Sequence, residues 1–323
     1  MTQAQGSNVK IVIDTEDTFR TNPTPVSGEY LTFVTESLRF SRNLIDSKSI
    51  RSSRNPLQPV RGNVDVAGDI TFELAPQYGR LFYHIFGGYT HSVTGQMATH
   101  SYKIGNLPAG MVIEKQFTDI ASPKYFRYNG CKVNNFKMTC KSEGMIECSV
   151  GIMGAQETVG GSTTFPMVMD RGFTAFDGFD AALTKDGSPL AGITQIEFTL
   201  ENNLDGSSYT IGGGGIRNSL PSGTVKVSGT ITAIFDSTEL YDLAVANTEL
   251  SIVITFTKGT GDGTAGNEQM VFTFDEVILQ PQGPVVTGPT GVVIELPFIA
   301  YYGNATAASA ARLTLKSPYP SFE

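Results

Sequence analysis

Gly62-Asn-Val-Asp-Val-Ala-Gly-Asp-Ile-Thr-Phe-Glu-Leu74 and Gly223-Thr-Val-Lys-Val-Ser-Gly-Thr-Ile-Thr-Ala-Ile-Phe235 read as two versions of one β-strand. Gly62 and Gly68 fall on Gly223 and Gly229. Val64, Val66, Ile70 and Thr71 fall on Val225, Val227, Ile231 and Thr232, all at one offset of 161 positions. A repeat of that length is far beyond the roughly 20–50 residues of a solenoid unit. It implies two copies of one small domain. The Gly/Ser/Thr-rich stretch 154–164 is the natural boundary, giving domains over 1–160 and 161–323.

The surroundings of the two segments also correspond. Asn43-Leu44 and Asn203-Leu204 precede them at an offset of 160, and 112–118 matches 251–257 at an offset of 139. A short helix follows each. Over 76–86, Pro76 suits the first turn, Leu81, Phe82, Ile85 and Phe86 form an apolar stripe, and Gly87 can terminate it. Over 236–247, Asp236 and Glu239 suit a capping box, with Leu240, Leu243 and Ala244 as the buried face. Period-two patterning predicts strands near 9–13, 30–40, 99–104, 111–118, 132–140, 145–153, 180–184, 191–200, 250–257, 268–279 and 292–301. Asp186-Gly187 marks a tight hairpin. Two long loops remain, a basic one over 41–61 and a glycine-rich one over 201–222; loops this long are usually functional or disordered. The fold class expected is mainly β, as two tandem β-sandwich or barrel domains, each flanked by a short α-helix.

Composition narrows the function. The net charge of −8 disfavours a protein that grips nucleic acid electrostatically. Cys131, Cys140 and Cys148 are odd in number, which suits buried thiols rather than a disulfide framework. The N-terminal stretch is polar, so no signal peptide is expected, and no apolar run reaches membrane-spanning length. Synthesis in a cytoplasm is the matching expectation.

Catalytic and ligand signatures fail on context. Gly261, Gly263 and Gly266 fit G-x-G-x-x-G, but a strand follows where a phosphate site needs a helix, so the run reads as a hairpin tip. The cysteines and His84, His91 and His100 lack zinc-ligand spacing. Asp14, Glu16 and Asp17 resemble the start of a calcium loop without its glycine and closing glutamate, and read as a solvated turn. No enzyme, cofactor or metal is expected.

The order Gly62…Gly68-Asp-Ile-Thr-Phe-Glu-Leu-Ala-Pro, Leu81-Phe-Tyr-His-Ile-Phe-Gly-Gly, and 196–204 leading into 225–235 resembles tail tube proteins of long-tailed, siphovirus-like bacteriophages. Ile13-Asp-Thr-Glu-Asp-Thr-Phe19 is similar to the segment that opens many of them, and the likeness spans most of 9–303. The resemblance implies a structural virion protein of the viral tail. Its subunits share sheets in rings, and the rings stack into a tube that conducts double-stranded DNA without binding it specifically. It implies as partners other copies of the chain, the tape measure, the tail terminator and the distal tail protein, and no membrane. Two domains per chain, where most members carry one, imply a homotrimer with pseudo-sixfold symmetry. Lumen-facing positions are expected near 64–74, 111–118, 225–235 and 250–257. Arg42, Arg51, Arg54, Arg217 and Asn218 are candidates for contacts between rings or subunits, with solvated loop charge as the plainer alternative. A carbohydrate-binding or adhesin-like β-sandwich on a virion is the second functional reading. The chain has no tryptophan for an aromatic platform, which weighs against it.

Overall fold

A computed structural model describes residues 3–24, 27–286 and 288–322; the outermost residues of the two expected domains, 1–2 and 323, lie outside the described residues. The first half runs β1 (Lys10–Glu16), β2 (Gly28–Leu31), β3 (Thr35–Glu36), β4 (Arg39–Ile45) and β5 (Val60–Glu73). After α1 (Gly79–Phe86) come β6 (Gly87–Thr94), β7 (Met97–Ile104), β8 (Gly110–Phe117), β9 (Lys124–Lys141), β10 (Glu147–Gly154) and β11 (Gln156–Gly160). The second half runs β12 (Val168–Met169), β13 (Ala181–Lys185), β14 (Ser188–Pro189), β15 (Ile193–Glu201) and β16 (Lys226–Ile234). After α2 (Glu239–Val245) come β17 (Leu250–Thr257), β18 (Gln269–Leu279), β19 (Val293–Ala300) and β20 (Arg312–Ser317). Strand makes up 49% and helix 8%, so the protein is mainly β.

Side-by-side order and register both recur. β4, β5, β10, β9, β8 and β1 lie in that order, and β15, β16, β19, β18, β17 and β13 lie in the same order. Gly68 faces Ile152 and Val133 faces Ile152 from the other side; Gly229 and Leu279 flank Phe298 in the same way. A bulge between Met111 and Ile113 has its counterpart between Leu250 and Ile252. Gly68 and Gly229 meet one requirement, because a Cβ cannot fit at either. At Gly68 it would sit 2.5 Å from the backbone of Leu38; at Gly229 it would collide with the Glu197 carbonyl and the Phe298 ring. Among the described residues, the hairpin β6–β7, which pairs with β20, has no counterpart in the second half.

The sheets stack as a sandwich, and β9 belongs to both layers. The first part of β9 pairs with β8 and β11; beyond its bulged ladder it pairs with β10 and β15. Between the layers lies an aromatic core. Phe82 of α1 meets Phe136 at 5.9 Å and Phe272 at 6.1 Å, and Phe198 meets Phe136 at 5.7 Å and Phe274 at 5.0 Å. One apolar cluster therefore spans both halves. α1 ends at Gly87 with φ +84°, where a glycine removes the Cβ penalty of that backbone.

Several expectations need correction. α2 starts at Glu239, with Thr238 rather than Asp236 before it and no side-chain cap on its amides. Within the 154–164 stretch, residues 156–160 form β11, paired with β9. The first long loop is shorter than expected, because β4 runs on to Ile45 and β5 starts at Val60. Asp14 and Glu16 lie in β1 and are buried, not in a solvated turn. β8 is buried along all but its last residue, so in the single chain 111–116 presents no open face.

Candidate assembly surface

The surface that matters is built at the junction of the halves. β9 carries β10 on one edge and β15 on the other, with Phe136 opposite Leu200, Met138 opposite Phe198 and Cys140 opposite Ile196. These six side chains are buried, and they fuse the two halves into one continuous sheet. Asn202 closes the end of the junction: its amide donates to the carbonyls of Ile85 and Val133 at 3.1 and 3.0 Å.

Strand alternation leaves the other face of this sheet polar. Asp69, Glu73, Glu147, Glu197, Glu201 and Glu295 alternate there with buried neighbours, against Arg39, Lys137, Lys141 and Lys226. Lys137 is committed to Glu197 at 3.0 Å across the junction. Carboxylates therefore outnumber cations on this face.

The two long loops behave differently. The loop following β15 lies on the first half: Val64 N–H donates to Gly215 O at 2.7 Å, and the Tyr209 hydroxyl donates to Val64 O at 2.8 Å. Arg217 pins it. This buried side chain donates to the carbonyls of Gly206 and Gly154 at 2.9 and 2.8 Å, and pairs with Asp65 at 2.5 Å. Arg42 reaches the same loop at Gly214 O and its own hairpin at Gly62 O. The β4–β5 hairpin and its tip, by contrast, project into solvent with Phe40, Leu44, Ile45, Ile50 and Val60 exposed. Arg51 donates to the carbonyls of Asn55 and Pro56 within that tip, and Arg54 is exposed. Asn218 is exposed on the folded-back loop. The five candidates thus split: Arg217 and part of Arg42 act within the chain, while Arg51, Arg54 and Asn218 face outward.

A buried ionic group was not foreseen. Arg80 of α1 pairs with Asp14 and lies 3.4 Å from Glu29, which Arg171 approaches at 2.6 Å. Acidic residues at alternate positions of β1 were the only sequence signal for it. Nearby Glu16 accepts from Gly130 N–H, the Asn129 amide and Arg20 N–H; burial raises its pKa, and those hydrogen bonds partly offset the rise. Burial, reinforced by Arg80 and Lys132, depresses His84 to about 3, so it is neutral near pH 7 and partners the Thr15 hydroxyl. Burial likewise raises the Cys131 and Cys148 thiols well above their ordinary value. Groups held in this way brace α1 against β1 and β2; they do not converge on a cleft. Among the described residues no group of histidine, cysteine and carboxylate side chains could hold a metal, and no helix is long and apolar enough to cross a membrane.

No curated protein matches the sequence. The family model of the phage tail tube protein matches residues 6–300, nearly the whole chain and both sides of the β9–β15 junction. The family is a structural one, a component of the virion tail. The chain belongs to the phage tail tube protein family.

Proposed function

We propose that three copies of this chain close into a ring with pseudo-sixfold symmetry, and that rings stack into a tube whose polar face lines a DNA channel. In this reading residues 1–160 and 161–323 are duplicated tube domains. The observation that carries it is the recurrence of strand order, register and bulge position across the halves, joined in one sheet by β9 and β15. A sheet that already continues from one half into the next has the geometry to continue into a neighbouring chain, and closure removes exposed edges. The excess of carboxylates on the polar face suits passage of a polyanion, since each cation meeting a phosphate would add attraction. Arg51, Arg54 and Asn218, on outward loops, are assigned to contacts between rings or subunits; Arg42 contributes from the hairpin base. Arg217 is assigned to holding the loop that presents Asn218. Tape measure, terminator and distal tail proteins are the expected partners at the tube ends, and a siphovirus-like tail is the expected setting. Electron microscopy of assembled protein tests the reading. Rings of three chains with six similar lobes are expected; six chains per ring, or a protein that never forms rings, overturns it.

A further inference from the structure

We infer that the seam between neighbouring copies is an antiparallel pairing of segment 281–286 of one chain with 36–41 of the next, in the register that β9 and β15 already use. This rests on the ring reading above. The occupant is therefore a second copy of this chain.

Within the chain β9 has strands on both edges. The second-half equivalent of β9 does not. Matching Val133 opposite Ile152 with Leu279 opposite Phe298 aligns the end of β9 with residues 281–286. In the single chain these residues are not a strand, and Val285 and Val286 are 67% and 73% exposed. Among the described residues, β19 beside them pairs along 293–296 with β16 alone, leaving its other edge open there. Matching Leu200 opposite Val227 with Phe40 opposite Val66 aligns β15 with β3 and β4. That strand is also half-partnered: β4 pairs only with β5 among the described residues. Phe40, the counterpart of fully buried Leu200, is 40% exposed. An open edge and an unformed strand thus stand where the chain's own junction has β15 and β9.

Prolines ordinarily argue against a central strand, yet both prolines here fall where no donor is missed. Gln280 N–H donates to Pro297 O at 2.7 Å, which places Gln280 at the bulge that interrupts the equivalent β9–β10 ladder and leaves that carbonyl already satisfied beside Pro281. Asn202 N–H donates to Asn134 O, and Ser37 N–H donates to Asp69 O; the strand period then turns the backbone groups of Leu38 and Phe40 toward the open edge. Pro284 would lie opposite Leu38 and could not donate to its carbonyl. That carbonyl is already satisfied by Lys115 Nζ of its own chain at 2.6 Å. The Leu38 N–H remains available to Pro284 O, and Phe40 to Gln282. Val285 would face Ser37 as a non-hydrogen-bonded pair, the type with Cα atoms about 4.5 Å apart.

That spacing gives the test, because it lies within reach of a disulfide. The full chain is prepared with Ser37→Cys and Val285→Cys, beside a register-shifted control with Ser37→Cys and Gly283→Cys; the three native thiols are buried and stay in both. After assembly and mild oxidation, the first variant is expected to lose its monomer band on a non-reducing gel to covalently joined chains, while the control stays monomeric. Rings that form without this link, or that link only in the control, overturn the seam and leave the ring reading standing. Failure of the unmodified protein to form rings overturns both. Amide hydrogen exchange of the unmodified protein supplies a second readout independent of the variants. The amides of Gln282, Gly283, Val285 and Val286 should lose their fast exchange on assembly, and unchanged rates overturn the seam.

Discussion

The loop after β4 and the loop after β15 leave matching strands at matching positions, yet one stands in solvent and the other is sewn onto the molecule. Gly62 and Gly223 mark the common return point. In each case an asparagine, Asn43 or Asn203, occupies the space that a Cβ would need. Beyond that point the second loop acquires Tyr209, Gly215 and Arg217, and its backbone joins β5. The first keeps Arg51, Arg54 and a set of exposed aliphatic side chains. A shared strand register therefore constrains the sheet and leaves the loops free to diverge. The loop that is satisfied within the chain is tied down by its own first half, and the other keeps its apolar side chains exposed.

The strongest way to break this comparison is to attack what the halves share. Gly68→Val and Gly229→Val should each destabilise the protein by several kcal/mol, since overpacking against backbone has no cheap relaxation. A melt that is sensitive at one glycine and indifferent at the other would show that the halves are not under the same constraint. Phe198→Ala should cost about 3–5 kcal/mol in chemical denaturation, because it opens a cavity between Phe136 and Phe274 at the junction.

Next in size is the contrast between arginines. Arg217→Ala strands buried carbonyls and should lower stability by about 2–3 kcal/mol. Arg51→Ala and Arg54→Ala should leave the monomer melt within about 0.5 kcal/mol while reducing tube yield in sedimentation. Equal effects of the three substitutions on the melt would erase the distinction between the loops.

The smallest expected effect is a pH dependence that involves two buried histidines of the first half. His84 and His100 are depressed to about 3 and 4 in the folded chain, both chiefly by burial. Between their unfolded value near 6.5 and these values the unfolded state binds more protons, so stability should fall as pH drops through that window. Glu16 has the opposite sign, because its raised pKa makes the folded state the better proton binder above its ordinary value. Thermal melts of His84→Gln should lose part of the acid limb; an unchanged limb would remove His84 as its source.

Local pattern made much of this legible and pairing partners did not. β17, β18 and β19 emerge within a residue or so of their alternation, and α1 from its proline, stripe and glycine, because those signals are confined to neighbours in sequence. The β9–β15 junction is invisible by that route, since nothing in either strand names the other. Arg217 stood out as a loop charge, but its burial depends on carbonyls of residues 66 and 154, far away in the chain. Asp236 and Glu239 have the spacing of a capping box, yet Asp236 N–H bonds Ile234 O in a turn, and the helix begins later. Asp14 and Glu16 differ from a solvated turn because Arg80 and the Gly130 amide offset the burial of carboxylates that usually mark solvent.

The bent strand β9 has a mechanical consequence. One uninterrupted stretch of backbone is pinned to β8 and β11 in one layer and to β10 and β15 in the other. A tangential force on the polar face cannot slide that layer over its companion without dragging four registers at once. Load is therefore passed through the thickness of the sandwich along covalent bonds, and the aromatic filling is spared from shear.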